Sequence, residues 1–522
     1  MCFLEISEDK RFITYFKDLL TNFQGRFRMS KIFLWEMTVS KDERLVKKIT
    51  QKSEDFSKWY IEIIKKAELA DYAPMKGIMV IRPYGYSIWE NIQNLLDKRI
   101  KESGHSNAYF PLFVPESFLK KEASHLEGFS PEVAWVTIGG SEELEERLAV
   151  RPTSEAIIGS MYSKWIKSWR DLPVLINQWA NIVRWEKVTR PFLRTTEFLW
   201  QEGHTVHETY EQAQTETMNI LAMYRDFAEQ ELAVPVVWGK KSEKEKFAGA
   251  LATYAIEALM SDGKALQMGT SHNLGQNFSK VFNIRFEDRN QTLQFAWQTS
   301  WGVSTRLVGA VIMAHGDDSG LKIPPKIAPV QIVIIPISLG NWKKEVLPTA
   351  EKIANDLKNN GYRVFLDSRE EFTPGWKFSE WEMKGVPLRI EIGPRDIKNK
   401  QTVIARRDNG KKISVSMDIL MQMVQKNLDD IQKSMYQNAL QFQQQNTHEV
   451  QSYEDFKSTI EEKKGFIKAY WCGKDECEEK IKQETMATIR VLEPEKEPPQ
   501  PQGKCILCGE SSRLIAYFAR AY

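Results

Sequence analysis

The spacing of apolar and polar residues changes along the chain and predicts more than one kind of domain. Apolar residues recur at helical spacing in residues 86–104, which end on a glycine typical of a helix stop, and in residues 209–232. Strand-like runs surround these helices, at residues 107–115, 172–186, 193–203, 265–275 and 294–316. Helices inserted between hairpin-forming strands predict an α+β domain on a mainly antiparallel sheet.

The pattern changes after a proline-rich linker at residues 322–329. A buried strand, a helix and a second strand follow in order, and two more strand-like runs come after them, at residues 330–337, 342–360, 362–367, 386–393 and 402–408. This alternation predicts a smaller α/β domain. After Ile413, polar-rich helices lead to a tail that carries most of the cysteines.

Composition limits the function only weakly. The chain has 522 residues, 42% of them hydrophobic, and a formal net charge of +2, so a nucleic-acid partner would need a local basic patch. No apolar run reaches membrane-spanning length. Glu5, Glu8 and Asp9 lie among the first basic residues, which argues against a targeting peptide. We therefore expect a cytoplasmic protein.

Four of the five cysteines lie in the last 51 residues of the chain, and Cys2 is the fifth. Their spacing is C-x4-C, 27 residues, then C-x2-C, which suits a structural tetrahedral zinc site formed by Cys472, Cys477, Cys505 and Cys508. Disulfides are the alternative, but they are typical of secreted chains. An empty remnant of a metal site is the other alternative.

Residues 184–204 carry an unusually dense mixture of charges between large aromatic residues. Strands ending at Glu186 and beginning near Phe192 would place alternate side chains on one face, so Trp200, Glu202 and His204 would share a face. Fixed guanidinium groups bind phosphate, and carboxylates bind ammonium groups, so this hairpin suits a polyanionic ligand with a cationic end. The alternative is ordinary surface ion pairing.

Several motifs in this order resemble class II aminoacyl-tRNA synthetases. "VRWE" and "FLRTTEF" resemble motif 2, "YFPLFVP" with Pro111 resembles motif 1, and "WGVSTRLVG" with Arg306 resembles motif 3. "RPTSE", "LWQEGH", "KFAG" and "TSHNLGQNFSK" resemble the prolyl-tRNA synthetases of the archaeal/eukaryotic-like type. The resemblance covers nearly all of residues 49–522.

The resemblance implies an ATP-dependent attachment of L-proline to tRNA(Pro), by way of prolyl-adenylate. It implies a class II catalytic domain at residues 49–325, an anticodon-binding domain at 326–413 and a zinc-bearing C-terminal domain at 414–522, after an extension of unknown role at 1–48. It further implies a homodimer, ATP with Mg²⁺ as a substrate complex and structural Zn²⁺. A large editing domain would be missing, because only 72 residues separate Arg194 from Gln267.

The family's functional residues map onto this chain position by position. ATP would be held by Arg184, Glu186, Arg194, Thr195, Gln267, Thr270, Ser304 and Arg306. Proline would be held and enclosed by Thr153, Glu155, Arg184, Trp200, Glu202, His204, Phe247 and His272. Arg184 and Arg306 would be the catalytic pair. The two histidines could instead be ordinary core residues.

Two further regions carry expectations from the same resemblance. Glu382, Arg389, Asp396 and Lys411 would read the anticodon guanines, because carboxylates accept from guanine N1 and N2 and basic groups donate to O6 and N7. The final Tyr522 would bring its carboxylate near the active site, or the apolar tail is simply an edge strand. Residues 315–320 are interpreted as a turn rather than a metal site.

Two other functions would also fit a chain of this class, those of a threonyl enzyme and of a paralogue that does not charge tRNA. A threonyl enzyme would need a cysteine ligand for an active-site zinc, and residues 49–325 contain no cysteine. A synthetase-like paralogue that binds tRNA or regulates without charging it would typically lack a motif arginine, but Arg184, Arg194 and Arg306 are all present.

Overall fold

The structure is a computed structural model that describes residues 49–123, 132–494 and 502–522. The predicted extension at residues 1–48, including Cys2, lies outside the described residues. Within the described part of the chain, no helix is long and apolar enough to cross a membrane.

A mixed sheet of eleven strands forms the centre of the fold, in the order β20-β21-β25-β22-β9-β10-β11-β14-β8-β7-β3. The strands before residue 305 are β1 Ala70–Tyr72, β2 Met79–Ile81, β3 Ser106–Asn107, β4 Phe113–Pro115, β5 Trp135–Gly139, β6 Glu142–Val150, β7 Val174–Val183, β8 Glu197–His207, β9 Val237–Lys240, β10 Ala252–Leu259, β11 Ala265–Gly275, β12 Arg285–Glu287, β13 Leu293–Phe295 and β14 Trp297–Ser304. The six neighbours from β9 to β7 are all antiparallel. The expected mainly antiparallel sheet is therefore confirmed.

Helices cover this sheet. They are Phe56–Lys66, Pro83–Glu102, Glu116–Ala123, Glu155–Trp165, Tyr210–Gln230, Asn277–Phe282 and Arg306–His315, with a short 3₁₀ turn at Trp169–Asp171. The helix predicted at 209–232 begins where expected, because the Thr209 side chain accepts a hydrogen bond from the Gln212 amide and caps it. The helix predicted at 86–104 starts earlier, at Pro83, which suits the first helical position.

A second sheet of five strands follows, in the order β16-β15-β17-β18-β19. Its strands are β15 Ile332–Pro336, β16 Val364–Leu366, β17 Leu388–Ile392, β18 Gln401–Arg406 and β19 Lys412–Ser416, and its helices are Trp342–Glu345, Leu347–Asn359, Pro374–Met383 and Pro394–Lys398, with a 3₁₀ turn at Met417–Ile419. The long helix Leu420–Gln445 packs against this sheet through Val424, Leu428 and Ile431. This is the expected α/β domain.

The last part of the chain extends the large sheet. It contains β20 Thr447–Glu449, β21 Phe466–Tyr470, β22 Thr488–Leu492, β23 Gly503–Lys504, β24 Ser511–Ser512 and β25 Ile515–Ala519, with helices at Tyr453–Ser458, Thr459–Lys463 and Asp475–Thr485. β22 pairs with β9, so the C-terminal strands continue the central sheet. Gly239 allows this close approach, because a Cβ there would lie 1.9 Å from the Leu492 carbonyl oxygen.

Three local expectations were wrong. Residues 107–115 do not form one buried strand, because Pro111 interrupts them and Tyr109 is 73% exposed. The run at 294–316 is a strand followed by the helix Arg306–His315, since a continuous apolar run fits either structure. β7 ends at Val183 and β8 begins at Glu197, so the connection between them is longer than predicted.

Candidate active site

A cavity of about 600 Å³ opens on the central sheet where β8, β10, β11 and β14 lie side by side. All residues predicted to contact proline line it, namely Thr153, Glu155, Arg184, Trp200, Glu202, His204, Phe247 and His272. Of the residues predicted for ATP, it is lined by Arg184, Gln267, Thr270, Ser304 and Arg306. Side chains that are far apart in the sequence thus form one cavity.

Strand alternation explains how β8 contributes to this cavity. Trp200, Glu202 and His204 point to the same face and line the cavity, as the sequence predicted. Between them Gly203 is paired with Trp301 across the sheet, and a Cβ at this glycine would lie 2.1 Å from the Trp301 ring. The glycine of "QEGH" is therefore required by the indole that packs under the cavity.

Arg184 follows directly after β7 and is half-buried at the cavity. Its Nε donates to the Pro152 carbonyl at 3.0 Å, and its guanidinium lies over the rings of Phe198 and Trp200 at 5.6 and 5.7 Å. Burial lowers the pKa of Arg184, although the charges of Glu155, Glu186 and Glu202 oppose this shift. A guanidinium at a cavity, held by a carbonyl and two rings, is preorganised for an anionic ligand.

Arg306 begins the helix after β14 and is a second half-buried cation of the cavity. Its Nε donates to the Leu193 carbonyl and its Nη1 to the Gln267 carbonyl, both at 3.2 Å. Burial, together with the positive charges of Arg184 and Arg194, lowers the pKa of Arg306 to about 10. Within the described part of the chain, neither Arg184 nor Arg306 forms an ion pair, so the cavity has positive charge to offer an anion.

β8 also brings a buried acid–imidazole pair to the cavity. His204 Nε2 lies 3.0 Å from Glu202 Oε2, and Gln178 donates to Glu202 Oε1 at 2.7 Å. Burial opposes ionisation of both groups, but their mutual attraction prevails, so the pKa of Glu202 is lowered and that of His204 is raised. The arrangement therefore favours the charged form of each partner.

His272 belongs to a separate arrangement on β11. Its Nδ1 lies 2.9 Å from the Thr253 hydroxyl, which also accepts the Phe247 amide at 2.9 Å, and its ring lies 4.8 Å from that of Phe247. Burial, with the charge of His204, lowers the pKa of His272 to about 3. His272 is a neutral, apolar-facing wall residue at ordinary pH.

Three residues of the cavity lining have a buried polar atom without a hydrogen-bond partner. Among the described residues these atoms are Trp200 Nε1, Ser300 Oγ and Trp301 Nε1. Buried polar groups are normally paired, and these three atoms have almost no accessible surface, so they lie behind the surface of the cavity.

Three of the residues predicted for ATP lie outside the cavity lining. Glu186 and Arg194 face each other at 3.9 Å in the connection between β7 and β8, where Arg194 is half exposed. The Thr195 hydroxyl donates to the Glu197 carbonyl at 2.7 Å. The sequence placed these residues on strands, but the structure places them in the longer connection beyond the strand ends.

Several lining residues were missed from the sequence. They are Pro152, Phe198, Glu245, Lys246, Ala248, Thr253, Met268, Gly269, Ser300, Trp301, Gly302 and Val303. Phe198 shares the alternating face of β8 with Trp200, and Ser300 shares that of β14 with Ser304, so alternation could have found both. Thr253 is paired with His272 across β10 and β11, which only the register reveals.

The residues predicted to read an anticodon lie on the five-stranded sheet and its surroundings. Arg389 forms an ion pair with Glu391 at 2.9 Å and lies over the Phe378 ring at 4.2 Å. The Asp396 carboxylate accepts the Gly393 amide at 2.8 Å and so caps its own helix. Lys411 is exposed in the β18–β19 turn, and Glu382 is half-buried near the end of helix Pro374–Met383.

The four C-terminal cysteines converge. The sulfur atoms of Cys472, Cys477, Cys505 and Cys508 all lie within 4.8 Å of one another. Burial opposes ionisation of Cys505, but backbone amides of Cys508, Leu507 and Cys472 outweigh it and lower the pKa of this thiol. Four converging sulfurs fit the tetrahedral ligand set of a zinc ion.

The chain end is tied to the catalytic part of the molecule. β25 lies between β21 and β22, so the tail is not an edge strand. The Tyr522 hydroxyl donates to Asp262 at 2.7 Å, and the Arg190 guanidinium lies 5.5 Å from its ring. Arg190 belongs to the connection between β7 and β8.

The turn predicted at residues 315–320 is also present, closed by a bridge between Asp317 and Gly320.

Comparison with known families assigns the parts of the chain. Residues 135–315 match the class II tRNA synthetase core domain (G, H, P, S and T), residues 331–427 match an anticodon binding domain, and residues 453–522 match the C-terminal domain of prolyl-tRNA synthetase. The order of these matches is the order expected from the sequence.

Whole-chain relatives agree with these domain matches. The chain is 60% identical to proline--tRNA ligase of Natranaerobius thermophilus, over 92% of this chain and 99% of that protein, and 57% identical to that of Alkaliphilus oremlandii over similar shares. A crystal structure of prolyl-tRNA synthetase from Cryptosporidium parvum, complexed with halofuginone and AMPPNP, is similar with a TM-score of 0.87 and 42% identity, covering 92% of this chain and 100% of that one. With this cavity, these domains and these identities, the chain belongs to the proline--tRNA ligase family of class II aminoacyl-tRNA synthetases.

Proposed function

We propose that this chain attaches L-proline to tRNA(Pro) in two steps, and that the cavity on the central sheet forms prolyl-adenylate from proline and MgATP. One observation carries the assignment to this cavity. Two half-buried arginines without a carboxylate partner among the described residues, Arg184 and Arg306, line the same cavity as the buried Glu202–His204 pair. A site that offers guanidinium groups together with carboxylates suits a phosphate-bearing substrate beside an ammonium-bearing one.

The nucleotide would occupy the part of the cavity near the arginines. Arg184 would contact the α-phosphate, and Arg306 with Ser304 would hold the terminal phosphates. Gln267 and Thr270 would enclose the nucleotide. Glu186 would contact the adenine end from the connection between β7 and β8, and Arg194 and Thr195 of the same connection would also hold ATP. The Glu186–Arg194 contact and the Thr195 hydrogen bond to Glu197 support this arrangement.

Proline would occupy the part bounded by aromatic and acidic residues. Thr153 and Glu155, which are hydrogen-bonded to each other and buried, would receive the NH₂⁺ group. Neutral His272 would face the ring, and Arg184 would lie near the carboxylate. Trp200, Glu202, His204 and Phe247 would shape the enclosure around this apolar five-membered ring.

The reaction needs positioning and charge stabilisation rather than a protein nucleophile. The proline carboxylate attacks the α-phosphorus in line, and pyrophosphate leaves. Negative charge grows on the phosphoryl oxygens, where a preorganised guanidinium such as that of Arg184 lowers the barrier. The prolyl group then passes to the terminal adenosine of tRNA.

The tRNA would be recognised mainly by the five-stranded domain. Arg389 on β17 would donate to a guanine, with Glu382, Asp396 and Lys411 as further readers. The match of residues 331–427 to an anticodon binding domain supports this assignment. We place the domain limits at residues 49–325, 326–413 and 414–522.

Three further properties belong to the proposal. Zn²⁺ held by the four cysteines would stabilise the C-terminal domain without taking part in the reaction. The enzyme would act as a cytoplasmic homodimer, with Pro111 in the region of motif 1.

The short connection between Arg194 and Gln267 leaves no room for a large inserted editing domain. Because a size-based pocket discriminates between amino acids by only about 10–200-fold, some alanine would be attached to tRNA(Pro).

Pyrophosphate exchange into ATP with a panel of amino acids tests the proposal. We expect exchange that depends on proline, weaker exchange with alanine and none with threonine. Absent exchange, together with tight tRNA binding, would instead identify a non-charging paralogue. Clearance of alanyl-tRNA by the enzyme alone would contradict the proposed lack of editing.

A further inference from the structure

The loop between β9 and β10 forms one wall of the cavity but is held by the far end of the chain. Its residues 245–248 line the cavity, and Phe247 packs against His272. Inside the loop, the Phe247 amide donates to the Thr253 hydroxyl and the Ala250 amide to the Phe247 carbonyl. The loop has little regular structure of its own, so its position depends on what packs against it.

A buried ion-pair cluster joins the start of this loop to the C-terminal domain. Lys241 Nζ lies 2.7 Å from Glu257 Oε1, and Arg490 on β22 reaches both oxygens of Glu257 at 2.8 and 3.2 Å. All three groups are buried. The attraction of Lys241 and Arg490 outweighs burial and lowers the pKa of Glu257. Removing one partner of such a cluster leaves an uncompensated buried charge.

A second contact lies one residue further along the loop. The Ser242 hydroxyl donates to Glu478 Oε1 at 2.7 Å, and Glu478 belongs to helix Asp475–Thr485 of the C-terminal domain. Both residues are buried. The start of the loop is thus tied to the C-terminal domain at two points, indirectly from Lys241 through Glu257 to Arg490 on β22, and directly from Ser242 to helix Asp475–Thr485. Both points lie a few residues before the residues that line the cavity.

The same cluster also touches the nucleotide side of the site. Glu257 is paired with Gln267 across β10 and β11, next to an irregularity in their register. The Gln267 carbonyl accepts from Arg306 Nη1. Holding Glu257 in place therefore fixes the strand position from which Gln267 meets Arg306.

We propose that the C-terminal domain is a structural part of the amino-acid pocket, and that Arg490, Glu257 and Glu478 are positioning residues that hold the loop bearing Phe247. The proposal rests on the proposed role of the cavity. It explains why the C-terminal strands continue the central sheet at β9, which is the strand that leads into this loop. The residues act through Phe247 and do not touch the substrate.

The test is the variant Arg490→Leu, with Arg490→Lys as the conservative variant. We expect Arg490→Leu to raise the KM for proline at least tenfold in pyrophosphate exchange while kcat changes less than threefold, and Arg490→Lys to restore most of the loss. Hydrogen exchange of the peptide covering residues 241–251 should become at least tenfold faster, with a smaller rise around Gln267 on β11 and with the cavity peptides of β8 and β14 unchanged. Lys244→Ala is the matched control, because Lys244 reaches Glu479 across the same junction in an exposed pair at 3.2 Å.

The outcomes separate the possible explanations. A purely structural role predicts lower thermal stability with an unchanged KM and uniformly faster exchange, and this would overturn the proposal. If Arg490→Leu does not fold, the variant Glu478→Ala tests the proposal instead. We expect it to raise the KM for proline three- to tenfold and to speed hydrogen exchange only in the loop at residues 241–251. An unchanged KM in that variant would also overturn it. If the wild type showed no proline-dependent exchange, the proposed function would fail, and the hydrogen-exchange comparison would still test the loop.

Discussion

The arginines of the cavity and the arginine of the five-stranded sheet differ in what already satisfies them. Arg184 and Arg306 are half-buried and donate to main-chain carbonyls. Arg389 instead pairs with Glu391 at 2.9 Å, and Lys412 shares the same carboxylate at 2.8 Å. Within the described part of the chain, the two cavity arginines therefore have no carboxylate partner, whereas Arg389 has one.

This difference predicts where a ligand gains most binding free energy from each contact. An anion entering the cavity meets guanidinium groups that are already partly desolvated and held by main-chain carbonyls, so it displaces no carboxylate. A base approaching Arg389 must compete with Glu391 for the same donors. We therefore expect substitutions in the cavity to have larger effects than those on the five-stranded sheet.

The largest expected effect comes from Arg184→Ala. Loss of this guanidinium should reduce proline-dependent pyrophosphate exchange by about 10³-fold, because one preorganised donor to developing charge is worth about 10²–10³-fold and we propose that Arg184 contacts both substrates. Circular dichroism and thermal unfolding would verify that the fold is intact. Arg225→Ala, which removes an arginine paired with Asp226 on helix Tyr210–Gln230, is the control and should leave exchange unchanged. If Arg184→Ala kept its pyrophosphate exchange, the cavity arginines would not matter more than Arg389, and the comparison between the two regions would fail.

Arg389→Ala should have a smaller and more selective effect. We expect tRNA charging to fall by about 10–100-fold, since a good base contact is worth about 1–3 kcal/mol. Proline-dependent exchange without tRNA should stay within threefold of the wild type. Lys358→Ala, an exposed lysine on helix Leu347–Asn359, serves as the matched control. An equal loss in exchange and in charging would show that the two regions do not act separately.

The pH dependence of stability sharpens the comparison for the cavity. The pKa of His204 is raised by its partner Glu202, despite burial. The charged His204 therefore contributes its full share to the free energy of unfolding below about pH 6.5, the pKa of histidine in the unfolded chain, and this contribution is lost as pH rises through the pKa in the folded protein. It amounts to about 1.4 kcal/mol for each pH unit by which folding raises the pKa. Urea unfolding of the wild type and of His204→Gln at pH 6, 7.5 and 9 measures this difference. If the free energies of unfolding of the two proteins differed by the same amount at all three pH values, the charged Glu202–His204 pair would be contradicted.

The smallest effect is expected from Lys411→Ala. This side chain is exposed in a turn, and an exposed charge contributes about 0–1 kcal/mol. Charging of tRNA should fall no more than threefold, which steady-state kinetics with varied tRNA can resolve. A loss as large as that of Arg389→Ala would mean that Lys411 is a principal reader of the anticodon.

The sequence predicted most of the cavity because strand alternation is a strong local signal. Trp200, Glu202 and His204 occupy one face of β8 for this reason alone. The same rule, applied further, would have added Phe198 and Ser300. The resemblance supplied residues such as Thr153 and His272, which no local pattern connects to β8.

Other features could not be predicted, because they depend on contacts between distant segments. The helix Arg306–His315 was read as strand, since its residues are almost all buried and show no amphipathic period. The connection between β7 and β8 contains Phe192 at a positive φ of 61°, which ends the simple hairpin geometry. The pairing of β22 with β9 joins parts of the chain that no periodicity relates.

That last pairing has a consequence for how the protein is made. Glu257 and Arg490 are 233 residues apart in the sequence, yet they share one ion-pair cluster. Contacts of such long range form late and slow folding. On the ribosome, the strands around the cavity emerge well before β22, so they must wait with an open edge until the end of the chain is synthesised. A chaperone that shields β9 during this interval would raise the yield of active enzyme, and translation stopped before residue 490 would leave an aggregation-prone product.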